Sequence, residues 1–126
     1  MLVDDDATSL RVLSDLLSKQ FQIYEACGVN EALRCLDEDT VDLICSDYNM
    51  PDRTGLELLE RLYKSNQKFP FILMSGMEEP FVVNSVKFYG GTFCDKTNPD
   101  LLTIIRNMAV RSTIFRYILS KTFLKL

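Results

Sequence analysis

Hydrophobic and polar positions along the chain predict five short strands. The apolar run at residues 1–3 ends at consecutive aspartates, and residues 21–26 alternate between apolar and polar with a period of two. Apolar runs at 41–46 and 69–74 have the length of buried strands, and a shorter run at 92–95 follows a pair of glycines. Short bounded apolar runs and a period of two are typical of strands. We therefore expect strands at these five places.

A helical pattern follows each of these strands. Leucines at helical spacing mark residues 7–19, and Asn30 is placed to cap a second helix. A third helix is expected after Gly55 and a fourth over residues 81–89. Asn98, followed by a proline and an acid, is typical of a helix start. Repeated strand-then-helix units predict an α/β fold, with a parallel sheet covered by helices on both faces.

Composition limits the chemistry that this chain can perform. Its 126 residues, 47% of them hydrophobic, are enough for one domain with its own core. The absence of histidine excludes a histidine base, an imidazole metal ligand and a phosphohistidine in this sequence. No leader-like start and no apolar run of about 18 residues is present, so neither a signal peptide nor a membrane span is expected. Any chemistry must use carboxylates, hydroxyls, lysines or thiols.

Charge is distributed unevenly along the chain, whose net charge is −4. Residues 1–96 hold 9 basic and 17 acidic side chains, whereas residues 97–126 hold 5 basic and 1 acidic. The acidic body argues against direct contact with nucleic acid. The cysteines are scattered without a C-x-x-C pair, and we interpret them as small buried hydrophobic residues in a reducing cytosol rather than as disulfides or metal ligands. They are Cys27, Cys35, Cys45 and Cys94.

Reactive side chains come at the ends of four predicted strands. They are Asp4 and Asp5, Asp47, Ser75 and Lys96. Because ligands of open parallel sheets bind at the carboxyl ends of the strands, we expect these side chains to form one site. Clustered carboxylates repel one another unless a cation neutralises them, and oxygen ligands suit Mg²⁺, with Mn²⁺ as an alternative. An aspartate in such a cluster can also act as a nucleophile on phosphorus, while the ammonium and hydroxyl groups position the phosphoryl oxygens.

The sequence resembles the receiver domain of two-component response regulators over roughly residues 1–110. The acidic pair within residues 3–5 and the Asp-x-x-Met-Pro block within residues 46–51 carry the resemblance, together with the Gly-Leu-Glu-Leu-Leu at 55–59. The Ser-Gly step at residues 75–76 and the lysine at position 96 complete it. The resemblance implies a flavodoxin-like, doubly wound sheet of five strands in the order 2-1-3-4-5.

The resemblance also implies a phosphoacceptor and a metal site. Asp47 would accept the phosphoryl group. Mg²⁺ would be held by Asp5, by Asp4 through water, by Asp47 and by the backbone carbonyl of Asn49.

Further roles follow from the same resemblance. Ser75 would bind one phosphoryl oxygen and Lys96 another, and Ser75 with Phe93 would form a conformational switch. The alternative for Phe93 is a plain core aromatic, and without a hydroxyl its inward and outward states would differ by packing alone. The chain departs from the family at Thr97, where a proline after a cis bond is usual. A non-proline cis bond costs about 2.5–4 kcal/mol, so the Lys96–Thr97 bond is expected to be either trans or cis under strain.

These features predict a phosphorylation-controlled module rather than an enzyme with an external substrate. A sensor histidine kinase or a phosphotransfer protein would phosphorylate Asp47, and the chain would catalyse only its own phosphorylation and dephosphorylation. Two alternatives stay open: an aspartate-nucleophile phosphatase, for which the sequence offers no inserted cap, and a pseudo-receiver that only binds partners. We expect a cytoplasmic protein.

The last helix is expected to extend beyond the domain. A receiver domain over residues 1–110 would be followed by an extension over residues 111–126, because the helical pattern that starts at Asn98 is about 40 Å long. An inward stripe would contain Leu101, Ile105 and Met108, and would continue with no domain beneath it through Phe115, Ile118, Leu119 and Leu126. The positive charge is carried by Arg106, Arg111, Arg116, Lys121 and Lys125.

Three interpretations of this extension stay open: a disordered or folded-back tail, a dimerising or signalling helix, and a basic segment lying on a membrane. A homodimer through the fourth and fifth helices or through the extension would fit the second of these. The uncapped end at Leu126 is typical of a piece of a longer protein.

Overall fold

The computed structural model describes the backbone of residues 1–124 and the side chains of residues 1–121. Five parallel strands form one sheet in the order β2-β1-β3-β4-β5, which confirms the predicted flavodoxin-like topology. The strands are β1 (Leu2–Val3), β2 (Glu25–Ala26), β3 (Ile44–Asp47), β4 (Phe71–Ser75) and β5 (Thr92–Asp95).

Five helices cover the two faces of the sheet. They are α1 (Ala7–Leu17), α2 (Val29–Glu38), α3 (Gly55–Lys64), α4 (Pro80–Phe88) and α5 (Leu101–Leu124). Buried residues of α2, α3 and α4 form one hydrophobic cluster with the sheet, and those of α1 and α5 form a second. The inner strands β1, β3 and β4 are therefore buried from both sides, as in a doubly wound parallel sheet, whereas the edge strands β2 and β5 are only partly buried.

The first four strands are shorter than their apolar runs or displaced relative to them, whereas β5 has the predicted bounds. Only Glu25–Ala26 of the predicted strand at 21–26 pairs with a neighbour, and β3 begins at Ile44 although the apolar run begins at Val41. Val41 is nonetheless buried. A run of hydrophobic residues indicates that a segment is buried, but a strand also needs a neighbouring strand for its backbone hydrogen bonds. The first four strands therefore begin or end at other residues than the apolar runs.

The start of α2 corrects the expectation that Asn30 caps this helix. The N-cap residue is Gly28, and Asn30 lies inside the first turn. Its backbone N–H donates to Oδ2 of Asp52, which lies in the loop between β3 and α3, at 3.1 Å. A carboxylate from another segment thus takes the place of a local cap.

Asn98 does begin the turn that leads into α5. Its Oδ1 accepts a hydrogen bond from the Asp100 backbone N–H at 2.9 Å, and its carbonyl accepts from the Leu101 N–H at 3.1 Å. The prediction makes Asn98 the cap and Pro99 the first helical residue, but the regular helix begins two residues later, at Leu101, because Asn98 and Pro99 are used for the turn.

The C-terminal part of α5 contacts the rest of the domain, although the sequence predicted that no part of the domain would lie beneath it. Arg116 Nη1 donates to Asp42 Oδ1 at 2.7 Å, and Phe115 and Leu119 border a hollow beside Phe69. Of the other predicted residues, Lys125 and Leu126 lie outside the described residues. Within residues 1–124, no helix has both the length and the apolar character needed to cross a bilayer.

The cysteines are unpaired, but they are not all buried. Cys45 and Cys94 are buried and Cys35 is half-buried, whereas Cys27 is exposed. The interpretation of all four as buried residues is therefore wrong for Cys27. Its thiol lies 2.6 Å from Oε2 of Glu31 on the outside of α2.

Candidate functional site at the carboxyl edge of the sheet

The register of the sheet brings the ends of β1, β3, β4 and β5 together. Val3 pairs with Ser46, and Ser75 at the end of β4 pairs with Asp95. Residues that follow these strands therefore lie side by side at one edge, as the sequence predicted.

Three carboxylates converge at this edge. Asp4, Asp5 and Asp47 each offer an oxygen, and these oxygens lie within 4.8 Å of one another. Asp4 is 2% exposed and Asp47 is 8% exposed, whereas Asp5 is open to solvent. Oδ1 of Asp4 accepts a hydrogen bond from the backbone N–H of Asp6 at 3.0 Å, which fixes this buried carboxylate. Carboxylate oxygens that are clustered but reachable from solvent fit a hard divalent cation such as Mg²⁺.

Lys96 supplies the positive charge that this cluster contains. Its Nζ lies 2.9 Å from Oδ1 of Asp47 and 3.4 Å from Oδ2 of Asp4. Its backbone N–H donates to the Ser75 carbonyl at 2.9 Å, so the lysine starts from a fixed position beside β4.

The turn after Lys96 is held without a proline. No cis peptide bond occurs among the described residues, so the Lys96–Thr97 bond is trans. Oδ1 of Asp95 accepts from the Thr97 backbone N–H at 2.8 Å and from its hydroxyl at 2.7 Å. These hydrogen bonds hold the pKa of Asp95 below its ordinary value.

Burial and charge act in opposite directions on the central pair. Burial raises the pKa of Asp47 above its ordinary value, and the hydrogen bond and charge of Lys96 only partly offset this effect. Burial tends to lower the pKa of Lys96, but the hydrogen bond and charge of Asp47 and the charge of Asp4 outweigh it and raise this pKa. The ammonium is therefore firmly protonated, while the ionised form of Asp47 is costly without a second cation.

The backbone behind Asp47 is tightly packed. A Cβ on Gly55 would collide with the Asp47 carbonyl and lie 2.7 Å from both Ser46 Oγ and Leu73 Cδ1. The Ser46 hydroxyl donates to the Asp47 carbonyl at 2.9 Å, and the Gly55 N–H donates to the Tyr48 carbonyl at 2.8 Å. Sequence reasoning missed the support that Ser46 provides, although a polar residue within a buried apolar run is a usable signal.

The remaining predicted residues are placed as follows. Ser75 is buried at the end of β4, and its Oγ accepts from the Met77 N–H at 3.2 Å. Phe93 is half-buried on β5 and packs against the cluster beneath α2, α3 and α4. Asn49 is exposed in the loop after Asp47, and the role of its carbonyl stays a prediction.

Comparison with known proteins agrees with this geometry. The family model described as the response regulator receiver domain matches residues 1–106. The two-component response regulator ARR11 of Arabidopsis thaliana is 42% identical over 78 residues, which are 60% of this chain and 15% of that protein. The sensor kinase CckA of Brucella abortus is 33% identical over 81 residues, 63% of this chain and 9% of that protein. The chain thus spans less than one sixth of the length of these relatives.

A solved structure shows the same architecture at full domain length. The CheY-like response regulator receiver domain protein of Methanospirillum hungatei superposes with a TM-score of 0.79 and 25% identity. The match covers 89% of this chain and 93% of that chain.

Proposed function

Because the chain belongs to the family of response regulator receiver domains of two-component systems, we propose that Asp47 is its phosphoacceptor. The observation that carries the proposal is the position of Asp47 at the centre of the site. Its carboxylate lies beside two further carboxylates and 2.9 Å from the Lys96 ammonium. This arrangement provides a nucleophile, a site for a divalent cation and a fixed positive charge.

The proposed reaction moves one phosphoryl group onto this carboxylate. An oxygen of Asp47 attacks phosphorus of a phosphohistidine, an O–P bond forms, and the P–N bond breaks with its electron pair left on the imidazole nitrogen. These 126 residues contain no histidine, so the phosphohistidine lies outside them, and the proposed donor is a sensor histidine kinase or a phosphotransfer protein. Hydrolysis of the acyl phosphate with water returns the carboxylate and releases phosphate.

The remaining residues of the site have positioning roles in this proposal. Asp4, Asp5 and Asp47, with the Asn49 carbonyl, would hold Mg²⁺, or Mn²⁺ in its place. The ion would neutralise charge on the phosphoryl oxygens. Lys96 pairs with one phosphoryl oxygen, and the hydroxyl of Ser75 donates to another.

Phosphorylation is proposed to shift a population between two conformations. Movement of the loop that begins at Ser75 changes the packing of Phe93, which is already half-buried, and so alters the surface of α4, β5 and α5. The altered surface would change the binding of a partner, or the formation of a homodimer through α4 and α5 or through the extension after residue 110. The protein acts in the cytoplasm, and it turns over no external substrate.

The test uses the purified chain with Mg²⁺ and a phosphorylated phosphotransfer protein, and acetyl phosphate as a small donor. We expect one phosphoryl group per chain by intact mass, on Asp47, and no labelling of Asp47→Asn. Asp37→Asn, which changes an exposed aspartate on α2, is the matched control and should be labelled normally. Labelling that persists in Asp47→Asn would overturn the proposal, and steady release of phosphate from a phosphomonoester would instead favour a phosphatase.

A further inference from the structure

Helix α2 is capped by a residue from a distant loop rather than by its own sequence. Its N-cap residue Gly28 has no side chain to accept a hydrogen bond. Oδ2 of Asp52 instead accepts from the backbone N–H of Asn30 at 3.1 Å, and Oδ1 accepts from the N–H of Arg53 at 2.9 Å. The exposed first-turn donors of a helix favour an acidic partner, so this contact is physically sound.

Gly28 leaves the room that this contact needs. A Cβ at this position would lie 3.1 Å from both carboxylate oxygens of Asp52, tighter than ordinary van der Waals contact. The backbone of Gly28 is extended, with φ of −176°, a conformation that any residue adopts. The glycine therefore eases the close approach of Asp52, which a Cβ would push back by a few tenths of an ångström, and it does not serve an unusual backbone.

The contact holds the middle of the loop that follows the proposed phosphoacceptor. At the start of this loop, the Tyr48 N–H donates to the Met74 carbonyl at 2.8 Å. At its end, Thr54 and Glu57 form reciprocal capping hydrogen bonds at the start of α3. Between these anchors, Asp52 joins the loop to α2, and the segment that contains Asn49 lies between the first anchor and Asp52.

We propose that Asp52 is a positioning residue for Mg²⁺ binding: it ties the loop containing Asn49 to the N terminus of α2 and so holds that backbone ready for the ion. The inference rests on the proposed function, because it takes the Asn49 carbonyl as a ligand. Asp52 itself does not touch the ion or the phosphoryl group. Its effect is to reduce the number of loop conformations that must be lost when Mg²⁺ binds.

The test compares Mg²⁺ affinity with loop mobility and stability in the same variants. By calorimetric titration with MgCl2, Asp52→Ala is expected to bind Mg²⁺ about tenfold more weakly than the wild type, the lower end of the effect of outer-shell metal partners. Hydrogen exchange of metal-free residues 48–52 should be faster in this variant. Asp52→Asn keeps an acceptor oxygen for the Asn30 N–H and loses only the charge of the carboxylate, which solvent and salt screen. Its Mg²⁺ affinity should therefore stay within about threefold of that of the wild type.

A second variant separates positioning from simple helix capping. Gly28→Ser combined with Asp52→Ala gives α2 a local cap but leaves the loop untied. We expect its unfolding midpoint to return toward that of the wild type while Mg²⁺ affinity stays low. Recovery of affinity together with the midpoint would overturn the inference, and so would wild-type affinity in Asp52→Ala. A wild-type chain that binds no Mg²⁺ would instead overturn the proposed function, and the inference with it.

Discussion

The Lys96 ammonium forms a 2.9 Å ion pair with Oδ1 of Asp47, the carboxylate proposed to accept the phosphoryl group. The lysine side chain is one-third exposed and that of Asp47 is 12% exposed, so the pair is only partly screened by water. The same ammonium also lies 3.4 Å from Asp4. One cation thus offsets the mutual repulsion of two buried carboxylates, and the solvent-exposed Asp5 leaves a route by which a metal ion can reach them.

Removal of this ammonium should destabilise the metal-free protein. Lys96→Met leaves Asp47 without its hydrogen-bonded partner, so we expect a loss of about 1–2 kcal/mol in the free energy of unfolding at pH 7, a value reduced because Lys96 is partly exposed. Urea unfolding without metal measures this loss. Lys19→Met, at an exposed lysine, is the matched control and should change stability by less than about 0.5 kcal/mol. Equal stability of both variants would contradict a structural role for the ion pair.

Neutralising Asp47 should change how the stability of the metal-free protein depends on pH. Because burial raises its pKa, the folded protein binds this proton more tightly than the unfolded chain does. Its contribution to stability is therefore present below the ordinary pKa and is lost as pH rises through the raised pKa of the folded state. In Asp47→Asn this loss disappears, so without Mg²⁺ the variant should gain stability relative to the wild type as pH rises from 4 to 7.

Mg²⁺ should stabilise the wild type more than Asp47→Asn. An ion that binds only the folded state stabilises it in proportion to its affinity, and Asp47→Asn loses one proposed ligand. Thermal unfolding at pH 7 should show a larger increase in midpoint with MgCl2 for the wild type than for the variant. Equal increases would exclude Asp47 as a ligand, whereas a variant that gains no stability on the wild type between pH 4 and pH 7 without metal would contradict the pKa argument.

The close packing of Gly55 against the backbone of Asp47 predicts that a single added methyl group at position 55 strongly destabilises the protein. In Gly55→Ala the new Cβ would collide with the Asp47 carbonyl, and we expect a loss of about 1–3 kcal/mol in the free energy of unfolding. A Cβ on Gly76 would meet no atom within 4 Å, so Gly76→Ala should lie within about 1 kcal/mol of the wild type. Urea unfolding gives the free energy of unfolding of both variants. Similar values for the two would show that the backbone around Asp47 can shift to accommodate a Cβ at little cost.

The position of the site residues could be predicted from the sequence because it follows from topology. In a parallel sheet every strand ends at the same edge, so Asp4, Asp47 and Lys96 must meet once their strands are recognised. The sequence left open whether the Lys96–Thr97 bond is trans or cis, because the outcome depends on the contacts that hold the turn. The Asp95 carboxylate holds it through Thr97, a contact that local propensity does not encode.

Contacts between distant segments explain the other differences. The sequence near Asn30 offers a plausible local cap, but Asp52 reaches the same donors from another loop. Likewise, the part of α5 that contains Arg116 was expected to be free, yet it meets Asp42 from the loop before β3. Such pairings depend on the assembled fold, whereas periodicity reports only which face of an element is buried.

The outward face of α5 predicts self-association of the chain. Val110, Ile114 and Tyr117 are 42%, 53% and 62% exposed and lie on one stripe, opposite the face that includes the buried Ile105. The ion pair between Arg116 and Asp42 is partly exposed and contributes little stability. Burial of the apolar stripe against a second copy would contribute more free energy than this ion pair does. We expect two copies to pair along this stripe with an affinity that does not fall as salt rises, because the contact is apolar and salt screens the repulsion between the two basic helices.

Sedimentation equilibrium of the wild type and of two variants tests this expectation. Ile114→Lys puts a charge in the centre of the stripe and should weaken the dimer at least tenfold, since burying an unpaired charge is costly. Ser120→Lys adds the same charge to the side of the same helix and should leave association within about threefold. Equal weakening by both would indicate a general effect of charge. A wild type that stays monomeric at high concentration would contradict self-association through this stripe.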